Sequence, residues 1–401
     1  MKTFCTIAAT FLMMAITLQG KAQTFPDRVW HQASEEEAKP WHNDKMEAFR
    51  EYLVDSTKIT GLMIVHKGKV VFDYGDVEEL SYIASCRKSV LSMLYGKYVE
   101  DGTIRLNKTI KELGIDDVEG ILPIEQAATV KDIISARSGV YHPEGYAGGM
   151  QEYAPKRGSV EPGSYWLYSN WDFNVAGFIF EQETGKNIYD EVELQLANPL
   201  HMQDWDHSIQ KKQGNTSISK YLAYPMWFST RDMARLGLLM LNKGKWKDVQ
   251  VVSESWVDEM LATRTTHEEL NNNVPVFKGS GVNYGYGYMW WLWQDVSDPR
   301  YKGAYSAKGA MGQNITVYPA IENRSGLQDQ SGLRTKKFIR HPNQSGTKGS
   351  HDFRNGPINK KPPSYLLHGG TPQLFKSFIS LIYFFFWSGL KLFVGYMVVR
   401  L

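Results

Sequence analysis

Gly61-Leu-Met-Ile-Val-His-Lys-Gly-Lys-Val-Val-Phe-Asp-Tyr74, and ten residues further on Ser85-Cys-Arg-Lys-Ser-Val-Leu-Ser-Met-Leu-Tyr-Gly-Lys-Tyr-Val-Glu100, are the stretches that decide the fold of this 401-residue chain. The first reads as two strands around a tight turn at Lys67-Gly68, a hairpin. In the second, Val90, Leu91, Leu94, Tyr95, Tyr98 and Val99 recur at helical spacing and Gly102 stops the run. That spacing predicts an amphipathic helix headed by Ser85.

The head of that helix carries chemistry. Ser-x-x-Lys alone is weak, since the chain contains it five times, at Ser85, Ser208, Ser217, Ser345 and Ser388. Only Ser85 opens a strong helical pattern behind a hairpin. Residues i and i+3 share a helix face about 5–6 Å apart, so Lys88 can reach the Ser85 hydroxyl. The helix N-terminus offers unpaired N–H groups and a positive dipole end to a developing oxyanion. The same field, with burial, favours a neutral Lys88 amine able to act as a base. For any isolated copy of the motif, an N-capping Ser beside a solvated Lys is the better reading. The second element, Tyr168-Ser169-Asn170, follows Pro162-Gly163 at the approach to another helix. A phenol near a lysine can relay a proton to a leaving group, and the Asn170 amide can orient Lys88 or a substrate. By itself this triplet reads equally as a turn with a packed tyrosine.

Outward from these motifs, Met46 to Val54 reads as a short helix and residues 104–220 as a helical insertion with little strand signal. Arg231 to Lys243 and Ser255 to Thr263 are further helices. Tyr284 to Trp293 and Asn314 to Tyr318 each read as one strand, and no internal repeat is visible. Apolar residues make up 42% and charged residues 22%, which excludes global disorder. A net charge of only +2 argues against a protein built around nucleic acid, and no nucleic-acid partner is expected. No Gly-x-Ser-x-Gly elbow, Walker loop or His-x-x-x-His pair occurs, so no metal site or cofactor is expected. His201 and His207 read as packing or surface residues.

Lys2, the apolar run Phe4 to Leu18 and Gly20-Lys21-Ala22 form a signal-peptide pattern over 1–22, with a mature start near Gln23 and a periplasmic or secreted destination. Cys86 is then the only mature cysteine, and no intrachain disulfide is expected. The charge is uneven: residues 1–324 sum to −7 and residues 325–401 to +9. The tail is basic, rich in Gly, Ser and Pro, and ends in an apolar run, Phe378 to Val399, interrupted by Lys391. It reads first as a wrong-frame or otherwise foreign segment. The run is also long enough for a membrane anchor, the one expected route to membrane contact, though an internal Lys opposes insertion.

Together, Ser85-x-x-Lys88 and Tyr168-x-Asn170 resemble the serine hydrolases of the class C β-lactamase, D-alanyl-D-alanine peptidase and esterase superfamily. Ile133-Ile-Ser-Ala-Arg-Ser-Gly, Asn198-Pro-Leu-His-Met-Gln-Asp, Arg231-Asp-Met-Ala-Arg-Leu-Gly-Leu-Leu-Met-Leu and Tyr284-Gly-Tyr-Gly strengthen the likeness, from about residue 45 to 320 and in the family's order. The Ser-x-x-Lys-Ser start and the Gly-x-x-Gly-Gln stretch are most similar to the esterase and 6-aminohexanoate-dimer-hydrolase-like branch. The resemblance implies an α/β fold of the α+β type: an antiparallel sheet flanked by helices, plus a helical subdomain, with the site between them. The hydrolase domain spans 23–324, its α/β body covering about 45–103 and 221–324.

The resemblance also implies cleavage of a small ester or amide through an acyl-enzyme. Ser85 would be the nucleophile, Lys88 its base, Tyr168 the proton relay and Asn170 the orienting amide. The Ser85 N–H and that of Ala310 would form the oxyanion hole. One departure stands out. With Gly309 aligned to the glycine of the family's Lys-Thr-Gly motif, Ala307 occupies the cation's place, and Lys308, one residue off, turns to the other face of its strand. A β-lactamase or D-alanyl peptidase is therefore the rival within the class. A non-catalytic or truncated binding protein is the rival outside it, and Cys86 as nucleophile lacks a histidine partner. The strand that closes the family's sheet after Pro319 is not recognisable.

Overall fold

In the computed structural model, the described residues are 23–39, 41, 44–146, 148–322 and, as backbone, 396–400. The signal-peptide pattern over 1–22 and residues 323–395 lie outside them. The α/β body begins with helix α1 (Asp44–Ser56) and the expected hairpin, β1 (Gly61–His66) and β2 (Lys69–Gly75). Lys67 and Gly68 sit at φ of 50° and 74°, the two-residue turn whose twist matches the flanking strands. Phe49 of α1 packs on Phe72 of β2 with ring centroids 5.6 Å apart.

Next come β3 (Ser81–Tyr82) and α2 (Cys86–Glu100), then the helical region whose longest element is α3 (Asn170–Thr184). Among the described residues of 104–220 no named strand occurs, as the composition predicts. The chain returns through β4 (Trp227–Phe228), α4 (Thr230–Leu241), β5 (Lys245–Trp246), β6 (Val249–Gln250) and α5 (Glu254–Leu261). Both α4 and α5 are N-capped by serines, Ser229 accepting from Asp232 N–H and Ser253 from Trp256 N–H. Strands β7 (Asn283–Tyr286), β8 (Trp291–Gln294), β9 (Tyr305–Lys308) and β10 (Asn314–Val317) build the far half of the main sheet.

Two expectations need correction. Tyr284 to Trp293 is not one strand but the hairpin β7–β8. Its turn is fixed from outside: a Cβ on Gly287 would lie 2.2 Å from the Met260 carbonyl oxygen, and Met289 adopts φ 60°. The Tyr288 and Met289 carbonyls there accept hydrogen bonds from Ser92 Oγ at 2.7 Å and Ser89 Oγ at 2.6 Å. Those bonds also correct the picture of α2. Rather than showing water a polar face, it is buried nearly all round, Ser89 and Ser92 included. Its hydroxyls are satisfied by backbone of the neighbouring layer, which removes the cost of burying them.

The sheet is also closed where the sequence shows no closing strand. Strand β11 (Tyr396–Arg400) lies between β1 and β10, antiparallel to both, with Ile64 opposite Met397 on one side and Thr316 opposite Met397 on the other. The main sheet thus runs β2-β1-β11-β10-β9-β8-β7, every neighbouring pair antiparallel. The apolar run to Val399, read as one candidate span, ends in this sheet; residues 378–395 lie outside the described residues. Among the described residues no helix is long and apolar enough to cross a membrane.

Candidate active site

Ser85 stands at the junction of the sheet layer and α2. Ala84 before it takes φ 47°, an unfavourable conformation for a residue with a Cβ. The kink is held on both sides, by Ile83 N–H donating to the Met226 carbonyl and Cys86 N–H to that of Ile83. Ser85 starts the helix with φ −75° and ψ −6°, and its side chain makes no capping bond. The capping-serine reading therefore fails here, and the hydroxyl is left for another partner.

That partner is Lys88. Its Nζ lies 3.1 Å from Ser85 Oγ, one helical turn back, and 2.8 Å from Tyr168 OH. It also donates to Asn170 Oδ1 at 2.6 Å. Three candidate side chains, Ser85, Tyr168 and Asn170, thus converge on the amine of the fourth, Lys88. Tyr168 and Asn170 reach it because the chain entering α3 runs past the start of α2; Tyr168 packs on Phe173 and Trp291 with centroids 4.8 and 5.5 Å apart. The Lys88 amine also lies 4.1 Å above the Tyr168 ring and 4.3 Å above that of Phe173.

Burial sets the protonation of this group. Lys88 is 1% exposed, and desolvation, with the neighbouring Arg87 charge, holds its amine well below the usual lysine range. Burial pushes the Tyr168 phenol up, against the opposing effects of its hydrogen bond to Ser85 and of Arg87. The arrangement favours a neutral amine beside a protonated phenol. Such a pair can take a proton from Ser85 and supply one to a leaving group.

Ala310 lies in the exposed turn between β9 and β10. Gln313, in the same turn, ties it to the segment around Ser85: its Nε2 donates to the Tyr82 carbonyl at 3.1 Å, and its carbonyl accepts from Cys86 Sγ at 3.5 Å. Cys86 is fully buried, and desolvation pushes its thiol up, which disfavours the thiolate a nucleophile needs. Ala307 is fully buried in β9. Lys308 Nζ donates to Tyr284 OH on β7 at 2.9 Å, and burial pushes its amine down to about 7. His207 pairs with Asp190 at the surface, as a surface residue would.

Sequence reasoning missed three side chains here. Glu144 Oε2 accepts from Asn170 N–H at 2.9 Å and its Oε1 from Gly149 N–H at 2.8 Å, so this half-buried carboxylate fixes the backbone from which Asn170 projects. Burial raises its pKa, against the backbone bond from Gly149 and the Lys88 charge. Gln313 and Arg87 are the others. No motif marks Glu144; the only signal is an acid close to the apolar pair Val140-Tyr141.

Known proteins show the family and the fold. The family model described as β-lactamase matches residues 47–327, and the chain belongs to that family. Three solved structures show the fold. A Bacillus anthracis protein named as a 6-aminohexanoate-dimer hydrolase is 20% identical, with a TM-score of 0.53, covering 77% of this chain and 84% of its own. A Bacteroides dorei protein named as a β-lactamase is 16% identical, with a TM-score of 0.52 and coverage of 69% and 87%. Simvastatin synthase (LovD) of Aspergillus terreus is 15% identical, with a TM-score of 0.53 and coverage of 69% and 89%.

Proposed function

We propose that this chain is an exported serine hydrolase that cleaves esters or amides through a Ser85 acyl-enzyme. The carrying observation is the convergence of Ser85, Tyr168 and Asn170 on the buried, deprotonation-prone amine of Lys88. In the first step the Ser85 Oγ–H proton passes to Lys88 Nζ while Oγ bonds to the substrate carbonyl carbon. The carbonyl π pair moves to oxygen, where the N–H groups of Ser85 and Ala310 receive it. As the tetrahedral centre collapses, the bond to the leaving group breaks. Tyr168 gives that group a proton and recovers one from Lys88. Water then repeats the sequence in reverse and frees the acid. Asn170 holds the amine in line throughout.

Ester and simple amide substrates are favoured over β-lactams and D-alanyl peptides. The family resemblance puts a carboxylate-binding cation at position 307, which here is a buried alanine, and the next lysine is engaged with Tyr284. Export rests on the pattern over residues 1–22. One experiment covers nucleophile and export: secreted or periplasmic protein is labelled with a fluorophosphonate and weighed intact. The label should sit on Ser85 of a chain beginning near Gln23, vanish in Ser85→Ala and persist in Cys86→Ala. Loss of the nucleophile removes roughly 10⁶-fold of the rate in a hydrolase triad. A Ser85→Ala protein that still labels would overturn the assignment, and an unlabelled wild type would leave a non-catalytic binding protein.

A further inference from the structure

Arg87, between the nucleophile and the base, is the least expected side chain in the molecule. It is 1% exposed. Its Nε and Nη2 have no hydrogen-bond partner among the described residues, and no carboxylate there lies at ion-pair distance. Its guanidinium instead rests 5.0 Å from the Tyr224 ring centroid. A buried cation without an anion costs several kcal/mol even after relaxation, and stacking on one ring recovers only part of that. A fold that keeps such a group next to its reacting lysine is using the charge.

We propose that Arg87 is a positioning residue for acylation, its fixed and unpaired charge keeping the adjacent Lys88 amine free of a proton so that it can accept that of Ser85. The inference rests on the Ser85–Lys88 reading above. The groups that face this pair are few. From α2 itself there is Cys86, neutral and buried, with Lys308 of β9 acting on it. From the 144–149 loop comes Glu144, the one carboxylate among the described residues that acts on Lys88, which pulls the other way and favours a protonated amine. From the approach to α3 comes Tyr168, and around the guanidinium stand Tyr82, Tyr189 and Tyr224, all neutral phenols raised by burial. Arg87 acts in one sense on both proton carriers, depressing the Lys88 amine and the Tyr168 phenol. Unlike Lys88 and the phenols, a guanidinium cannot shed its proton, so its influence does not fade with pH.

The test is the rate of fluorophosphonate labelling at Ser85 across pH for wild type, Arg87→Met, Arg87→Gln and Arg87→Lys, each checked for a cooperative melt. Removing the charge should carry the acid limb of the profile to higher pH. Labelling by the Met and Gln variants should fall about tenfold on the acid side, the size of one moderate charge–charge interaction, and rejoin wild type at alkaline pH. Arg87→Lys should shift the limb in the same direction and no further than the Met and Gln variants do, because a buried amine, unlike the guanidinium, can lose its proton. Superimposable profiles for wild type and the neutral variants, or a uniform loss at every pH, would each overturn the proposal, because shape rather than charge would then matter. Failure of both neutral variants to fold while the Lys variant folds would overturn it too, by making the charge structural. A wild type that does not label at Ser85 would sink the hydrolase reading instead, so the two failures are separable.

Discussion

Deleting residues 396–401, six residues at the far end of the chain, should collapse the hydrolase domain. Strand β11 is flanked on both sides, by β1 through Gly61 to Val65 and by β10 through Asn314 to Val317. Five residues between two antiparallel neighbours engage about ten backbone groups. At ~0.5–1.5 kcal/mol net for each bond, their loss removes about 5–15 kcal/mol, comparable to the stability of a whole domain. The cost does not end with the bonds. Leu62, Ile64, Ile315 and Val317, each at most 1% exposed, lie on the two strands that would become edges, and α4 would lose part of the sheet on which it packs. Open, apolar edges of this kind invite aggregation. The assay is circular dichroism melting with limited proteolysis, on the full chain, on a chain ending at residue 395 and on Met397→Pro. The proline removes the N–H of a residue registered with both Ile64 and Thr316 while keeping the chain length. We expect no cooperative transition for the truncation and a markedly lowered one for the proline variant. A truncated chain that melts and resists protease like the full chain would refute the reasoning and return the tail to the status of a foreign segment.

Two further outcomes follow from β9. Short p-nitrophenyl esters should be turned over with a higher kcat/KM than nitrocefin, because a missing charge-assisted hydrogen bond to the β-lactam carboxylate is worth roughly 1.5–3 kcal/mol, about 10–150-fold; parity would mean that another cation serves that role. The Lys308 amine, pushed down to about 7 when folded, regains its ordinary affinity for protons on unfolding. The unfolded chain then binds more protons between pH 7 and about 10, so this group makes stability rise with pH across that window. The stability of wild type relative to Lys308→Met should accordingly grow by about 1–2 kcal/mol from pH 7 to pH 9 in denaturant titrations. Lys88 contributes to both proteins and cancels, and a difference that does not vary with pH would contradict the reading.

What is legible in the sequence follows from which physical signals are local. The β1–β2 hairpin and α2 are visible because alternation, a two-residue turn and helical spacing are short-range patterns. Ser85 and Lys88 are visible because i and i+3 share a helix face, and the structure brings them to 3.1 Å. Tyr168 and Asn170 become interpretable through the family resemblance, since 80 and 82 residues separate them from Lys88. The misses share the opposite property. Whether Ser89 and Ser92 face water depends on carbonyls some 200 residues away. The turn that splits Tyr284 to Trp293 into two strands is imposed by Met260 and α2, not by its own residues. β11 belongs to a sheet whose neighbouring strands end at residues 66 and 317, and five apolar and basic residues next to a longer apolar run carry no mark of that pairing.

Motif and tuning are therefore separate matters in this chain. The Ser-x-x-Lys spacing brings a hydroxyl and an amine together wherever it occurs on a helix, and four other copies in this chain have the same spacing. What distinguishes Ser85 is the setting of Lys88: buried, gripped by Asn170, stacked over Tyr168 and Phe173, and placed between one permanent cation and one half-buried carboxylate. Desolvation alone would favour a neutral amine but would also favour a protonated phenol, leaving Tyr168 a reluctant relay. Arg87 eases both protons off at once, whereas Glu144 opposes it and at the same time anchors the backbone of Asn170. On the proposed mechanism, the balance of those two charges, rather than the motif, sets the pH range over which Ser85 serves as the nucleophile.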